Sequence, residues 1–174
     1  KSLSLNSKDI EKDYFTVAEG GHNENGVKGC EEILGGSFKE LPIDTVFCAV
    51  GTSTTFCGII RSVPLETRVY GIAAIGDSKY LEDTISQYTG HIKNWSLEGK
   101  YARRGFGKYD KHQLDVMRSF TSETGILLDP IYTGKVLCAI QGMFKNQSLE
   151  QECVPLMIHT GGMTGILSEK WLKS

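Results

Sequence analysis

A chain of 174 residues, 40% of them hydrophobic and with 20 glycines that fall mainly at turns, has the length of one domain with a sizeable core. Its formal charge of −2 gives no bulk attraction toward nucleic acid or an anionic membrane surface, and no apolar run approaches the ~18 residues that a membrane span needs. Five cysteines (Cys30, Cys48, Cys57, Cys138, Cys153) form an odd set without CxxC spacing, which favours buried reduced thiols in a cytoplasmic protein over disulfides or a metal site.

The chain opens on KSLSLNSKDIEKDYF, too polar for a signal-peptide core and without a helix start signal, as the later part of a longer protein would. YFTVA (14–18) reads as a strand and ENGVKGCEEIL (24–34) as a short helix weakened by two glycines. DTVFCAV (44–50) is a continuous apolar run, the mark of a strand covered on both faces. A helix starts within STTFCGIIRSV, and TRVYGIAAI (67–75) is the next strand. SKYLEDTISQYT (78–89) is helical, with Leu81, Ile85 and Tyr88 on one face, and GHIKNWSL (90–97) reads as a strand. After an irregular glycine-rich stretch, KHQLDVMRSFTSETG (111–125) is an amphipathic helix that Gly125 stops. ILLDPIY leads into a helix over 133–144. CVPLMIHTGG (153–162) reads as a buried strand ending in glycines, and MTGILSEKWLKS as a closing helix. Strand, glycine-rich turn and helix alternate. This predicts a single α/β domain over residues 1–174, an open, mostly parallel twisted sheet with helices on both faces.

In such sheets ligands bind beyond the carboxyl ends of the strands. Three of those ends carry unusual sequences: EGGHN (19–23), GTSTT (51–55) and HTGG (159–162). In the second, Gly51 permits a tight turn and Thr52, Ser53, Thr54 and Thr55 place hydroxyls and backbone N–H groups at a helix start, which suits a phosphate monoester. Capping alone explains one hydroxyl, not four. The chain has no GxGxxG, and TGKV (133–136) is no Walker loop, since Asp129 stands where the first glycine belongs and Val136 replaces the hydroxyl residue. In LLDPIYTGK, Pro130 breaks the strand and presents Tyr132 and Thr133 at a helix start. A tyrosine there serves as acid or base if a cation lowers its pKa, and otherwise is a packing residue with its hydroxyl outward.

AEGGHNENGVKGCEEI, AVGTSTTFCGI, TGILLDPIYTGK and HTGG, in that order, resemble the D-cysteine desulfhydrase and 1-aminocyclopropane-1-carboxylate (ACC) deaminase family, over roughly residues 14 to 167. These enzymes depend on pyridoxal 5'-phosphate and have the tryptophan-synthase-β type of fold. The resemblance implies that Gly51, Thr52, Ser53, Thr54 and Thr55 form the cofactor's phosphate cup, that Tyr132 handles substrate protons, and that Thr133 faces the pyridine nitrogen. Thr160, Gly161 and Gly162 would line the ring or substrate side. Ring-opening members tend to carry Glu and Leu where this chain has Thr133 and Thr160, so the implied reaction is α,β-elimination of D-cysteine to pyruvate, ammonia and sulfide. ACC deamination and a non-catalytic binder of the cofactor or another phosphometabolite are the alternatives, and a generic nucleotide-binding module is a third reading against which the missing loops argue. The resemblance further implies a small amino-acid substrate and a homodimer.

The chain departs from the family pattern at several places. Phe106 in RRGFGKYD occupies the place of a second active-site tyrosine, and His22 stands where relatives carry Ser. The Gly-Gly-Asn-Lys segment with the Schiff-base lysine and the Ser-Asn-His stretch of the small domain have no match here. The chain therefore reads as the carboxyl-terminal half of such an enzyme, most of its large domain, and as inactive alone. Lys135 is nearest to the site but belongs to the helix after Tyr132. His159 reads as a satisfied structural histidine, Arg103 and Arg104 as a solvated pair, and Trp95 and Trp171 as packing residues.

Overall fold

The computed structural model describes residues 16–75, 78–102, 107–150 and 152–162. Four strands, β1 (Thr45–Val50), β2 (Arg68–Ala73), β3 (Trp95–Glu98) and β4 (Pro155–Met157), form one sheet in the order β3-β2-β1-β4, and every pairing is parallel. Among the described residues five α-helices accompany them: α1 (Glu24–Cys30), α2 (Thr54–Ser62), α3 (Ser78–Thr89), α4 (Lys111–Thr124) and α5 (Thr133–Lys145). The fold is the α/β open sheet that the alternation of elements predicts.

All six residues of β1 are buried, and the two-residue period of a strand divides them between two cores. Val46, Cys48 and Val50 pack with Val27 of α1, Phe56, Ile59 and Ile60 of α2, and Leu81 and Ile85 of α3. Phe47 and Ala49 face the other way, against Val136, Ala139 and Met143 of α5. A smaller cluster of Met117, Leu128 and Leu137 ties α4 to α5. Each helix that starts cleanly has an oxygen to take its free N–H groups: Asn23 accepts from Gly26 N at 2.9 Å in α1, and Asp110 from Gln113 N at 2.9 Å in α4. Gly125, at φ 73°, ends α4 in the left-handed turn expected of it. Arg61 clasps α2 to α1, 2.6 Å from Glu24 and 2.7 Å from Glu31.

The cysteines among the described residues are free thiols. Burial first, and then the neighbouring Cys30, push the Cys48 thiol up to about 12, so it is neutral at physiological pH and packs as a small apolar group.

Several elements differ from expectation. Residues 16–18 are not a strand but lead into a 3-10 turn at Glu19–Gly21, where Gly20 and Gly21 take φ 65° and 63°. The rest of that predicted strand lies outside the described residues. The predicted helix 24–34 stops at Cys30, and residues 31–34 continue only as turns. The predicted strand 90–97 is confined to Trp95–Glu98, because Gly90 (φ 59°) follows α3 and the Asn94 amide donates to the carbonyls of Pro64 and Thr67, at 3.2 and 2.8 Å, before pairing begins. The predicted strand 153–162 shrinks to Pro155–Met157 and is exposed to half-buried, since among the described residues it pairs only with β1. The closing helix, Arg103, Arg104, Phe106 and Trp171 lie outside the described residues. Trp95 is a packing residue as expected, its ring edge-on to Phe56 at 6.3 Å.

Gly71, in the middle of β2, has no room for a methyl group: a Cβ there would lie 2.7 Å from both Phe56 Cζ and Val50 Cγ2. Gly71→Ala is expected to destabilise the protein by about 1–3 kcal/mol through overpacking, read as a lowered urea midpoint at unchanged slope.

Candidate functional site

Beyond the carboxyl ends of β1 and β4 lies a cleft of about 230 Å³, lined by Ala49, Gly51, Thr55, Tyr132, Thr160, Gly161 and Gly162. Segments more than a hundred residues apart in sequence meet there because parallel strands deliver their carboxyl ends to the same edge.

The turn from β1 into α2 forms one wall. Gly51 leaves space for Tyr132, whose ring carbon Cε1 would lie 3.4 Å from a Cβ at that position. Ser53, the residue before α2, adopts φ 72°, a left-handed conformation that costs a serine on the order of 1–3 kcal/mol and often accompanies a binding site. It does not cap the helix: no side-chain bond from Ser53 reaches the first turn of α2, in contrast to Asn23 and Asp110. Its Oγ is buried and has no partner among the described residues. Thr52 and Thr54 join their hydroxyls at 3.2 Å, and Thr55 Oγ1 lies 3.9 Å from the Cys30 thiol. The 19–21 turn rests directly on this wall, since a Cβ on Gly20 would collide with the Thr52 side chain. An uncapped helix start, a buried unsatisfied hydroxyl and flanking threonines together make a site for an anion, and the residues fit the phosphate of a cofactor.

The opposite wall is the turn into α5. The Asp129 carboxylate accepts from the backbone N–H of Ile131 (2.9 Å), Tyr132 (2.7 Å) and Thr133 (2.9 Å), and from the Thr133 hydroxyl (2.7 Å). Thr133 is fully buried, and its hydroxyl also accepts from Asp129 N at 2.8 Å. It therefore lies behind the cleft surface rather than on it. The buried Gln113 amide of α4 donates to Pro130 O at 2.5 Å and braces the same turn. Sequence reasoning missed both Asp129 and Gln113. An Asp followed four residues later by Thr at a helix start is a capping pattern, and was the available signal for the first.

The Tyr132 phenol is half-buried and its pKa is raised, by burial first and then by the Asp129 and Glu19 carboxylates. The expectation of an acid or base rests on a cation that lowers the pKa, and the shift runs the other way. At neutral pH Tyr132 is a protonated phenol, suited to donate. His159 is exposed: its Nδ1 accepts from Gly161 N at 3.2 Å and its Nε2 donates to Leu127 O at 2.8 Å, which fixes the tautomer and makes it the structural histidine expected. His22 stands half-buried in the turn before α1, edge-on to Tyr88 at 5.3 Å. Lys135 is buried, its ammonium donating to Ala74 O at 3.2 Å and Ala102 O at 3.5 Å, beyond the ends of β2 and β3. The predicted residues Gly51, Thr55, Tyr132, Thr160 and Gly161 thus share one cleft, Thr52, Ser53 and Thr54 belong to the turn beside it, and Thr133 sits behind its surface. No three His, Cys, Asp or Glu side chains among the described residues come together as a metal site needs.

Comparison with known proteins bears on this arrangement. No family model matches the chain. A Pyrococcus abyssi protein named "Putative 1-aminocyclopropane-1-carboxylate deaminase" is 30% identical over 172 residues, covering 89% of this chain and 52% of that protein. The Arabidopsis thaliana protein named bifunctional D-cysteine desulfhydrase/1-aminocyclopropane-1-carboxylate deaminase, mitochondrial, is 25% identical over 183 residues, 89% of this chain and 43% of its own length. A crystal structure described as that of the ACC deaminase homologue matches 84% of this chain and 48% of its own, with a TM-score of 0.69 and 25% identity. The chain is a relative of the D-cysteine desulfhydrase and ACC deaminase family and shares its fold. It spans about half the length of the curated relatives it matches. In this desulfhydrase and deaminase relative, the four sequence stretches that carry the resemblance all contribute to the cleft or to its supporting turns.

The raised phenol pKa gives the stability a defined alkaline slope. The folded state holds the Tyr132 proton more tightly than the unfolded chain, so this contribution is fully present below the unfolded tyrosine value of about 10 and is lost as pH rises through the folded value. Tyr132→Phe is expected to flatten the fall in urea stability above about pH 10, and an unchanged slope would contradict the assignment.

Proposed function

We propose that the full-length protein is a pyridoxal-phosphate-dependent lyase acting on a small amino acid, and that its principal reaction is α,β-elimination of D-cysteine, with water, to pyruvate, ammonia and sulfide. The observation that carries the reading is the uncapped start of α2, whose Gly51 and Thr55 line the same small cleft as Tyr132, with the buried Ser53 hydroxyl behind them lacking a partner among the described residues. Bound there, pyridoxal phosphate supplies the electron sink that lets the bond to the α-hydrogen break.

The chain's own residues then divide the work. The N–H groups and hydroxyls of Gly51 to Thr55 hold the phosphate, and Thr160 and Gly161 line the ring or substrate side. Tyr132, a neutral phenol, donates a proton on the substrate side. The resemblance assigns Thr133 to the ring nitrogen; its hydroxyl lies behind the cleft, bonded to Asp129, and would have to turn from that carboxylate to meet the ring, offering a neutral oxygen where a carboxylate would hold a proton. That weaker sink suits expulsion of a good leaving group such as thiolate more than the opening of a cyclopropane. The lysine that carries the cofactor is assigned to none of these 174 residues, which are proposed to be most of the large cofactor-binding domain and inactive alone. A homodimer and a cytoplasmic location complete the proposal; among the described residues no helix is long and apolar enough to cross a membrane.

ACC deamination is the second reading, favoured by the names of several relatives and disfavoured by Thr133 and Thr160. The test is turnover by the cofactor-loaded full-length protein. Pyruvate and sulfide from D-cysteine, in excess of 2-oxobutyrate from ACC, is the expected result. The reverse ratio replaces the desulfhydrase by the deaminase, cofactor binding without either turnover favours a binding protein, and failure to bind the cofactor overturns the reading. Thr55→Val is expected to weaken cofactor binding about tenfold, the loss of one charge-assisted hydrogen bond, with a smaller effect on pyridoxal lacking the phosphate.

A further inference from the structure

Asp129 is buried to 2% exposure, and among the described residues no Asp or Glu is more enclosed. A carboxylate in such a place is costly unless its lone pairs are all used, and here two oxygens accept four donors. Starting a helix does not require this much: a serine or an asparagine caps one as well as an aspartate, and Asn23 does so for α1. The surplus is spatially divided. Oδ1 takes the N–H of Ile131 and of Tyr132, while Oδ2 takes the N–H and hydroxyl of Thr133. Oδ2 also lies 3.2 Å from where a Cβ on Gly162 would stand, and Gly162, at φ 88°, lines the same cleft as Tyr132. One carboxylate thus underlies both the tyrosine turn and the paired-glycine turn.

We infer that Asp129 is the positioning residue of the cleft, fixing the Tyr132 turn and seating the Gly161–Gly162 turn beside it. For its catalytic consequence the inference rests on the proton-donating role of Tyr132 proposed above. Gln113, bonded to Pro130 O, stiffens the turn from behind, so displacement of the carboxylate is transmitted to Tyr132 rather than absorbed. The Asp129 charge also helps keep the phenol protonated, with Glu19 acting in the same sense.

The experiment separates capping from positioning. Asp129→Ser keeps a competent helix cap but removes the second oxygen and the charge; Asp129→Asn keeps the shape and removes the charge. In the cofactor-free full-length protein, the Tyr132 phenol is titrated by alkaline difference absorbance, with Tyr132→Phe as the blank and Glu19→Gln as the control for the other carboxylate. In both Asp129 variants the midpoint is expected to fall, and a cooperative thermal transition checks that each variant is folded. Under turnover with D-cysteine, kcat is expected to fall about tenfold or more with KM changed less than about threefold, the signature of an interaction spent on the reaction rather than on binding. A Tyr132 midpoint that does not move in either variant overturns the inference. Should both variants fail to fold, Gly162→Ala presses on Oδ2 from the glycine turn; a shifted Tyr132 midpoint is then the expected result, and one equal to the parent's overturns the inference. The titration needs neither cofactor nor substrate, so a parent protein without D-cysteine turnover would remove the functional reading and leave the result on Asp129 standing.

Discussion

The structure depends on the burial of β1 on both faces. A strand with no exposed residue cannot rest on one layer, so the chain must supply apolar cover twice, α1 to α3 on one side and α5 on the other. The helices that provide it return every strand to the same starting edge, which makes the sheet parallel and gathers the strands' carboxyl ends. The first backbone to leave that double cover is Gly51 to Thr55. The site's location therefore follows from the core, and its polar character from being the first place where the chain escapes it.

Two balances within the site follow from the same geometry. The turn from β1 into α2 keeps donors in excess: free N–H groups at the start of α2 and a serine hydroxyl without a partner among the described residues. The turn into α5 is its complement, with every donor taken by Asp129. One helix start is left open to a ligand and the other is closed by the protein itself, which fits a division between holding a group and presenting a side chain to it.

What the sequence revealed follows the strength of each local signal. The apolar run around Val46 to Val50, the face of Leu81 and Ile85 and the stop at Gly125 act through short-range periodicity and steric rules, and those elements appear where expected. Residues 16–18 and 153–162 have strand-like composition, but a strand exists only where a neighbour pairs with it. Gly20 and Gly21 turn the first away, and β1 offers the second three residues of register. Most of the site was visible because glycines and hydroxyls cluster at strand ends. The burial of Thr133 and the role of Asp129 were not, because both depend on which way a five-residue turn folds back, and composition carries no such information. The upward shift of the Tyr132 pKa was hidden for a similar reason: Glu19 lies 113 positions away and meets it only in three dimensions.

The open start of α2 has a thermodynamic consequence for the whole domain. The phosphate of the proposed cofactor, settling on those N–H groups, would supply the bonds that Ser53 withholds, and so would do for α2 what Asn23 does for α1. Because α2 carries Phe56, Ile59 and Ile60 into the main core, finishing that helix also tightens the layer beneath it. On the proposed function, ligand and fold would then be linked quantities: above its dissociation constant, the cofactor would raise resistance to denaturation with the logarithm of its concentration, as the last piece of secondary structure to form.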